Sequence, residues 1–154
     1  MFNLESMPGH LIRRYHQAAV AIFHHETAQL DYDITPVQFA AMEQLHASPG
    51  IDQITLAGLI AYDRTTITGV VDRLVQKGWL KRHISSQDRR ARILHLTDEG
   101  EHALSVIRPA VEKAQQVMLR GLSREDAESF LRLLKAATES VNELSRAPLR
   151  LDTQ

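Results

Sequence analysis

The chain has no cysteine. Disulfides and thiolate chemistry are therefore excluded. It also lacks any run approaching the roughly 18 uncharged apolar residues of a membrane span. Its opening stretch, MFNLESMPGHLIRRYHQ, has no basic region followed by a long apolar run, so no signal peptide is expected. These absences fit a cytoplasmic protein without a membrane partner. Catalytic fingerprints are missing as well. There is no G-x-S-x-G elbow, no phosphate-binding P-loop and no dinucleotide-binding glycine pattern, so neither an enzyme nor a cofactor is expected. The eight histidines do not offer metal spacing. His24, His25 and Glu26 are adjacent, and adjacent helical residues diverge by about 100°. His10, His46, His83, His95 and His102 are scattered. No metal ligand is assigned, and a metal-sensing regulator is the less favoured alternative.

What is present is an ordinary globular balance: 154 residues, 44% hydrophobic and 24% charged. That is enough for one domain, or for one domain with a dimerisation arm. The net charge of -1 conceals an asymmetry. Between Arg64 and Arg92 lie eight basic residues (Arg64, Arg73, Lys77, Lys81, Arg82, Arg89, Arg90 and Arg92), opposed by Asp72 and Asp88 alone. This segment is +6 and the remainder -7. A local cationic field on a nearly neutral chain points to a polyanionic partner at one place, or else to a solvated charged face.

Apolar periodicity predicts six helices and one hairpin. Pro8 opens the first helix, whose stripe is Leu11, Ile12, Tyr15, Ala18, Ala19, Ile22 and Phe23. Thr35-Pro36 caps a second, through Phe39, Met42 and Leu45 or His46, that Pro49-Gly50 stops. Thr55 is the expected cap of a short third helix through Leu56, Leu59 and Ile60. Asp63 caps the fourth. There Ile67, Val70, Val71, Leu74 and Val75 form a buried stripe, and Thr65, Gly69, Asp72 and Gln76 lie opposite, flanked by Thr66, Thr68 and Arg73. Gly78 fits its stop. WLKRHI and ARILHL read as two strands joined by a polar tip from Ser85 to Arg90. Thr97-Asp98-Glu99 begins a long helix that Pro109 should kink or interrupt. Ser123 with Asp126 resembles a capping box before a last stripe of Ala127, Phe130, Leu131, Leu134, Ala137 and Val141. The tail after Arg146 is expected to fray.

A helix, a turn and a second helix with a thin polar face suit a DNA major groove. A cationic hairpin beside them can reach the flanking minor groove or the phosphates, and the long planar arginine cation suits a narrow, negative minor groove. The fold class expected is mainly α with a small β-hairpin wing, a winged helix-turn-helix.

The stretch TLAGLIAYDRTTITGVVDRLVQKGWLKRHISSQDRRARILHLTDEG resembles the winged-helix core of the MarR family of bacterial transcriptional regulators. The resemblance is carried by Leu56-Ala57, DRTTIT from Asp63 to Thr68, VDRL from Val71 to Leu74, KGWLKR from Lys77 to Arg82, DRR from Asp88 to Arg90 and LTDEG from Leu96 to Gly100. With the terminal helices it covers nearly all of residues 8–145. It implies a homodimer in which the first, fifth and sixth helices interlock about a two-fold axis. Residues 1–34 and 98–154 would be dimerisation helices and 35–97 the DNA-binding region, in one interlocked domain. The apolar stripes of the terminal helices agree, since one small winged helix would not cover them. Such a dimer reads a pseudo-palindromic double-stranded operator.

The resemblance assigns DNA contacts to Arg64, Thr65, Thr66, Thr68 and Arg73 on a recognition helix from about Arg64 to Lys77, and to Arg89 and Arg90 on the wing. Asp72 and Asp88 match acids that orient arginines at the wing's base. Gly69 stands where many members carry arginine, which removes a base contact and favours close backbone approach. The family commonly binds small aromatic carboxylates between the dimerisation helices and the winged helix, and repression is its commoner mode. PGHLIRRYHQ, TPVQFAAM and PGIDQITLA are similar to a branch regulating aromatic-acid or nicotinate breakdown. An anionic ring needs a cation and an aromatic wall, which Arg14, Tyr15, His16, Phe39 and Tyr62 offer, with Arg13 and Phe23 beside them. Tyr15, Phe23 and Phe39 also lie on apolar stripes and serve a core equally well. The reading is a ligand-responsive DNA-binding regulator released by an aromatic carboxylate such as a hydroxylated nicotinate. The alternative is a dimeric protein-interaction module of the same fold.

Overall fold

The computed structural model describes residues 3–151. Its elements in chain order are α1 (Pro8–Thr27), α2 (Pro36–Ala47), α3 (Gln53–Leu59), α4 (Arg64–Gln76), β1 (Leu80–Ile84), β2 (Arg92–Leu96), α5 (Asp98–Leu119) and α6 (Arg124–Ser140). Short 3-10 turns precede α1 and follow α6. The strands form one antiparallel hairpin, in register from Leu80 opposite Leu96 to Ile84 opposite Arg92. Six helices and a hairpin wing are the winged-helix architecture expected of the sequence.

Local chemistry sets most boundaries. Thr35 and Gln38 form a reciprocal capping box at the start of α2. Asp63 accepts the Thr66 amide at the start of α4, and Thr97 accepts the Gly100 amide at the start of α5. Ser123 caps α6, but Asp126 bonds the Ser123 hydroxyl rather than its backbone. One cap differs from expectation. Asp52, not Thr55, caps α3, and its carboxylate accepts the Thr55 amide at 2.7 Å. The helix thus begins three residues earlier, because a charged oxygen outcompetes a hydroxyl for the free amides.

Pro109 does not interrupt α5, which is continuous across it. The missing amide costs one bond, but Leu104 and Ile107 before it and Val111 after it are all buried, and that burial keeps the turns on both sides helical.

The core lies inside the winged helix. Met42, Leu45, Leu56, Ile67, Val71, Leu74, Leu94, Leu104 and Ile107 are essentially inaccessible. The core therefore runs from α2, α3, α4 and the wing into α5. The outer helices contrast with this. α1 buries Phe23 and Thr27, and no α6 residue is buried. Leu11, Ile12, Leu131, Leu133 and Val141 remain exposed.

Two glycines are dictated by geometry. Gly50 has φ +82° at the end of α2, a conformation that disfavours a Cβ. Its amide donates to the Leu94 carbonyl and thereby leads Asp52 into a bridge with Ile93 beside the wing. Gly100 lies so close to the Trp79 backbone that an added Cβ would stand 2.1 Å from its carbonyl oxygen. That oxygen also accepts the Thr97 amide at 3.0 Å. Gly100→Ala should destabilise the protein by about 1–3 kcal/mol, the usual cost of overpacking, since backbone must yield. A thermal melt checks this, and an unchanged midpoint would mean that the junction is looser than it stands here.

Candidate nucleic-acid interface

The expected DNA-contacting side chains share one exposed surface. Arg64, Thr65, Thr66, Thr68 and Arg73 are exposed on α4, while Ile67, Val70, Val71 and Leu74 hold its other face in the core. A groove of about 480 Å³ runs between α3, the start of α4 and the wing, lined by Gln53, Thr55, Arg64, Asp88, Arg90 and Arg92 among others. The groove is cationic on balance, as a polyanion requires.

The two threonines are more constrained than the sequence shows. The Thr66 hydroxyl donates to Asp63 Oδ2 at 3.0 Å, and the Thr68 hydroxyl donates to the Arg64 carbonyl at 2.8 Å. Gln53 Nε2 donates to the Thr68 hydroxyl at 3.1 Å. Both hydroxyl protons are thus engaged within the helix. Outward, these residues offer methyl groups and acceptor lone pairs, which suit a thymine methyl or a base amine. A phosphate offers only acceptors, so with these protons engaged the pair is better matched to bases than to backbone. Gln53 was not singled out from the sequence; a glutamine opening a short helix carries no signal until the fold sets it beside Thr68. A Cβ on Gly69 would meet nothing within 4 Å, so this stretch of α4 is open to close approach.

The wing is built by its own polar side chains. The Ser85 hydroxyl accepts the Gln87 and Asp88 amides, and Asp88 Oδ1 accepts the Arg90 amide at 3.0 Å. Asp88 therefore orients the Arg90 backbone. It touches the guanidinium only loosely, at 3.4 Å, and the Arg90 side chain is 93% exposed. Arg92 braces the loop from beneath through the Arg89 carbonyl at 3.0 Å. Asp72 pairs with Arg82 at 2.7 Å and ties α4 to β1, the first strand of the wing.

One member of the basic segment faces inward. Lys77 donates to the Asp33 carbonyl and to Gln38 Oε1 and lies 4.8 Å over the Trp79 ring. Burial lowers its pKa from the ordinary lysine value. It anchors the end of α4 and is not a wing cation. Asp63 holds its proton more weakly than an ordinary aspartate, because the Thr66 amide and hydroxyl bond its carboxylate, with Arg146 nearby. The cap is thus a fixed negative charge at the tip of the helix.

The proposed ligand residues do not converge within one chain. Phe39 lines a cavity of about 660 Å³ with Phe23, Pro36, Glu43, Arg108 and Val111, between α1, α2 and α5. Arg108 bonds Glu43 through both Nε (2.6 Å) and Nη2 (3.1 Å), which raises its pKa. Neither member of this pair was apparent in the sequence, being 65 residues apart. Tyr15 and His16 line a different, apolar groove with Leu11, Ile12, Phe130 and Leu134. The Tyr15 hydroxyl donates to the Met118 carbonyl, and its ring packs edge-on against Phe130. Arg14 is exposed on the outer side of α1. Tyr62 is exposed at the α3–α4 turn.

Residues 34–91 match the MarR family. A putative transcriptional regulatory protein for the hcr operon of Thauera aromatica is 32% identical over 132 residues, 84% of this chain and 80% of that protein. The transcriptional regulator PcaV of Streptomyces coelicolor, solved in complex with its natural ligand, superposes with a TM-score of 0.84 at 31% identity, covering 92% of this chain and 98% of PcaV. BpsR of Bordetella bronchiseptica, whose DNA binding is regulated by 6-hydroxynicotinic acid, superposes with a TM-score of 0.83 at 26% identity, covering 90% and 97%.

Arg90→Ala should weaken DNA binding and leave the melting temperature unchanged, because so exposed a side chain supports nothing in the core. The slope of log affinity against log salt should become shallower by about 0.9 for each phosphate that the side chain no longer neutralises. Fluorescence anisotropy across a salt series measures both, and an unaltered slope with unaltered affinity would remove the wing from the interface.

Proposed function

Because the chain belongs to the MarR family of transcriptional regulators, we propose that it acts as a homodimeric repressor released from a pseudo-palindromic operator by a small aromatic or heteroaromatic carboxylate. The observation that carries the ligand reading is the cavity lined by Phe23, Pro36, Phe39 and Val111, where the outer helices meet the winged helix. Its apolar walls suit a ring, and its volume lies within the usual range for a small molecule. BpsR supports the choice of ring, since its DNA binding responds to a hydroxylated nicotinate.

The charge of the effector has to be met. Within one chain the cavity holds Arg108, but Glu43 already occupies that guanidinium and Glu112 stands nearby. Arg14 and His16 are the cations we assign to the carboxylate. They are exposed on α1 and do not line the Phe39 cavity, so only a second subunit can bring them to that cavity. The unburied faces of α1 and α6 are the surfaces that such a dimer would cover. The effector site is then a property of the dimer, and occupancy sets the separation of the two recognition helices. α5, about 33 Å long, carries that change to the wing. By linkage the ligand weakens DNA binding by the factor with which DNA weakens ligand binding. A tenfold effect needs about 1.4 kcal/mol.

Calorimetry with 6-hydroxynicotinate, nicotinate and hydroxylated benzoates, paired with operator binding by anisotropy, tests this. At least one of these acids should lower operator affinity tenfold or more. Arg14→Ala should weaken that acid about tenfold while DNA affinity without it stays unchanged. If no acid in the panel altered DNA binding, the carboxylate-responsive reading would be wrong. If Arg14→Ala bound the active acid as tightly as the parent, the assigned anion site would be wrong.

A further inference from the structure

The tail following α6 is ordered against the DNA-reading unit, contrary to the fraying expected of it; residues 152–154 lie outside those described. Asn142 clamps it in both directions. Its Oδ1 accepts the Leu149 amide at 2.8 Å, and its Nδ2 donates to the Leu149 carbonyl at 3.1 Å. The Arg150 amide then donates to the Gly58 carbonyl at 2.8 Å, in the last turn of α3. The Arg150 side chain returns to Glu143 at 2.5 Å. Ala147, Pro148 and Leu149 are half-buried.

The docking explains a glycine. Gly58 sits inside a seven-residue helix, where glycine is costly. A Cβ there would stand 3.0 Å from Arg150 Cβ. The added bond gives the Gly58 carbonyl a further donor beside the Ala61 amide at 3.3 Å. It lies next to a strained turn, since Ala61 has φ 55°.

The clamp has a consequence for charge. It brings Arg146 to 3.5 Å from Asp63, the cap of α4, with the Arg146 side chain 89% exposed. A recognition helix presents its N-terminal end to the groove. Asp63 puts a negative charge there, beside Arg64. A mobile tail would leave that charge facing the phosphates.

We propose that residues 142–150 form a strap that carries Arg146 to the DNA backbone at the N-terminal end of the recognition helix, a phosphate contact outside the basic segment between Arg64 and Arg92. The strap joins the end of α6 to the α3–α4 turn, and so ties α6 to the DNA-reading unit, as the packing of Phe23 on Phe39 ties α1. Arg146 both offsets Asp63 and reaches a phosphate. The contact is to backbone, so it adds affinity on any sequence equally.

The test needs no operator. Affinity for an arbitrary duplex of about 30 base pairs, measured across a salt series, compares the parent with Arg146→Ala, Arg146→Lys and Asn142→Ala. Arg146→Ala should make the slope shallower by about 0.9 per bound subunit. Arg146→Lys should keep the parent slope. Asn142→Ala, which frees the strap without touching the DNA-facing side, should reproduce Arg146→Ala. The same loss should persist when Arg146→Ala is made in an Asp63→Asn background. A parent slope in Arg146→Ala overturns the proposal. Disappearance of the loss in the Asp63→Asn background also overturns it, reducing Arg146 to a partner for Asp63. A parent slope in Asn142→Ala overturns the strap. Failure of the parent itself to bind the duplex would overturn the DNA-binding reading and this contact with it.

Discussion

The close approach of Gly100 to the Trp79 backbone is the constraint on which the rest depends. It seats the first turn of α5 on the residue that joins α4 to β1. The Trp79 carbonyl accepts the Thr97 amide, and the Thr97 hydroxyl donates to the Gly78 carbonyl. Three segments therefore meet at one backbone junction: the end of the recognition helix, the root of the wing and the start of the longest helix. Leu104 and Ile107 continue the attachment into the core. Such a packed junction does not bend smoothly. Whatever moves α5 moves the recognition helix and wing with it.

That rigidity gives the DNA surface its character. The exposed face of α4 is thin because its bulky residues are committed to the core, and its threonines are held by Asp63, Arg64 and Gln53. The wing arginines differ. Their loop is pinned by Ser85 and Asp88, while the Arg90 side chain stays exposed, with only a loose 3.4 Å contact to Asp88. A fixed backbone carrying an exposed cation loses little order on reaching a phosphate or a minor groove.

The sequence made legible what depends on neighbours in the chain. The caps at Thr35, Asp63 and Thr97, the stop at Gly78 and the buried stripe of α4 all rest on residues within a turn of one another. The DRTTIT and DRR stretches were readable through their resemblance to the MarR family. What stayed hidden needed contacts across the fold. Lys77 counted as a surface cation until Asp33 and Gln38 met it from more than 35 residues away. Arg108 and Glu43 had no marker of pairing. The cluster from Arg13 to His16 is continuous in sequence, but a helix spreads adjacent residues around its axis. Arg14 and Tyr15 accordingly share a shallow hollow with Leu11 and Ala18, while His16 lines the groove toward α6. The tail was misjudged because its anchor, a backbone carbonyl on Gly58, leaves no trace in side-chain chemistry.

The central claim is that the outer helices and the DNA surface move as one body through the Trp79–Gly100 junction. Because the chain lacks cysteine, a single Ser86→Cys substitution at the exposed wing tip gives one spin label per subunit. The distance between the two labels of a dimer, read by pulsed electron resonance with and without an effector, tests the claim directly. The account predicts a narrow distribution that shifts as a whole when the effector binds. A broad distribution indifferent to the effector would contradict it.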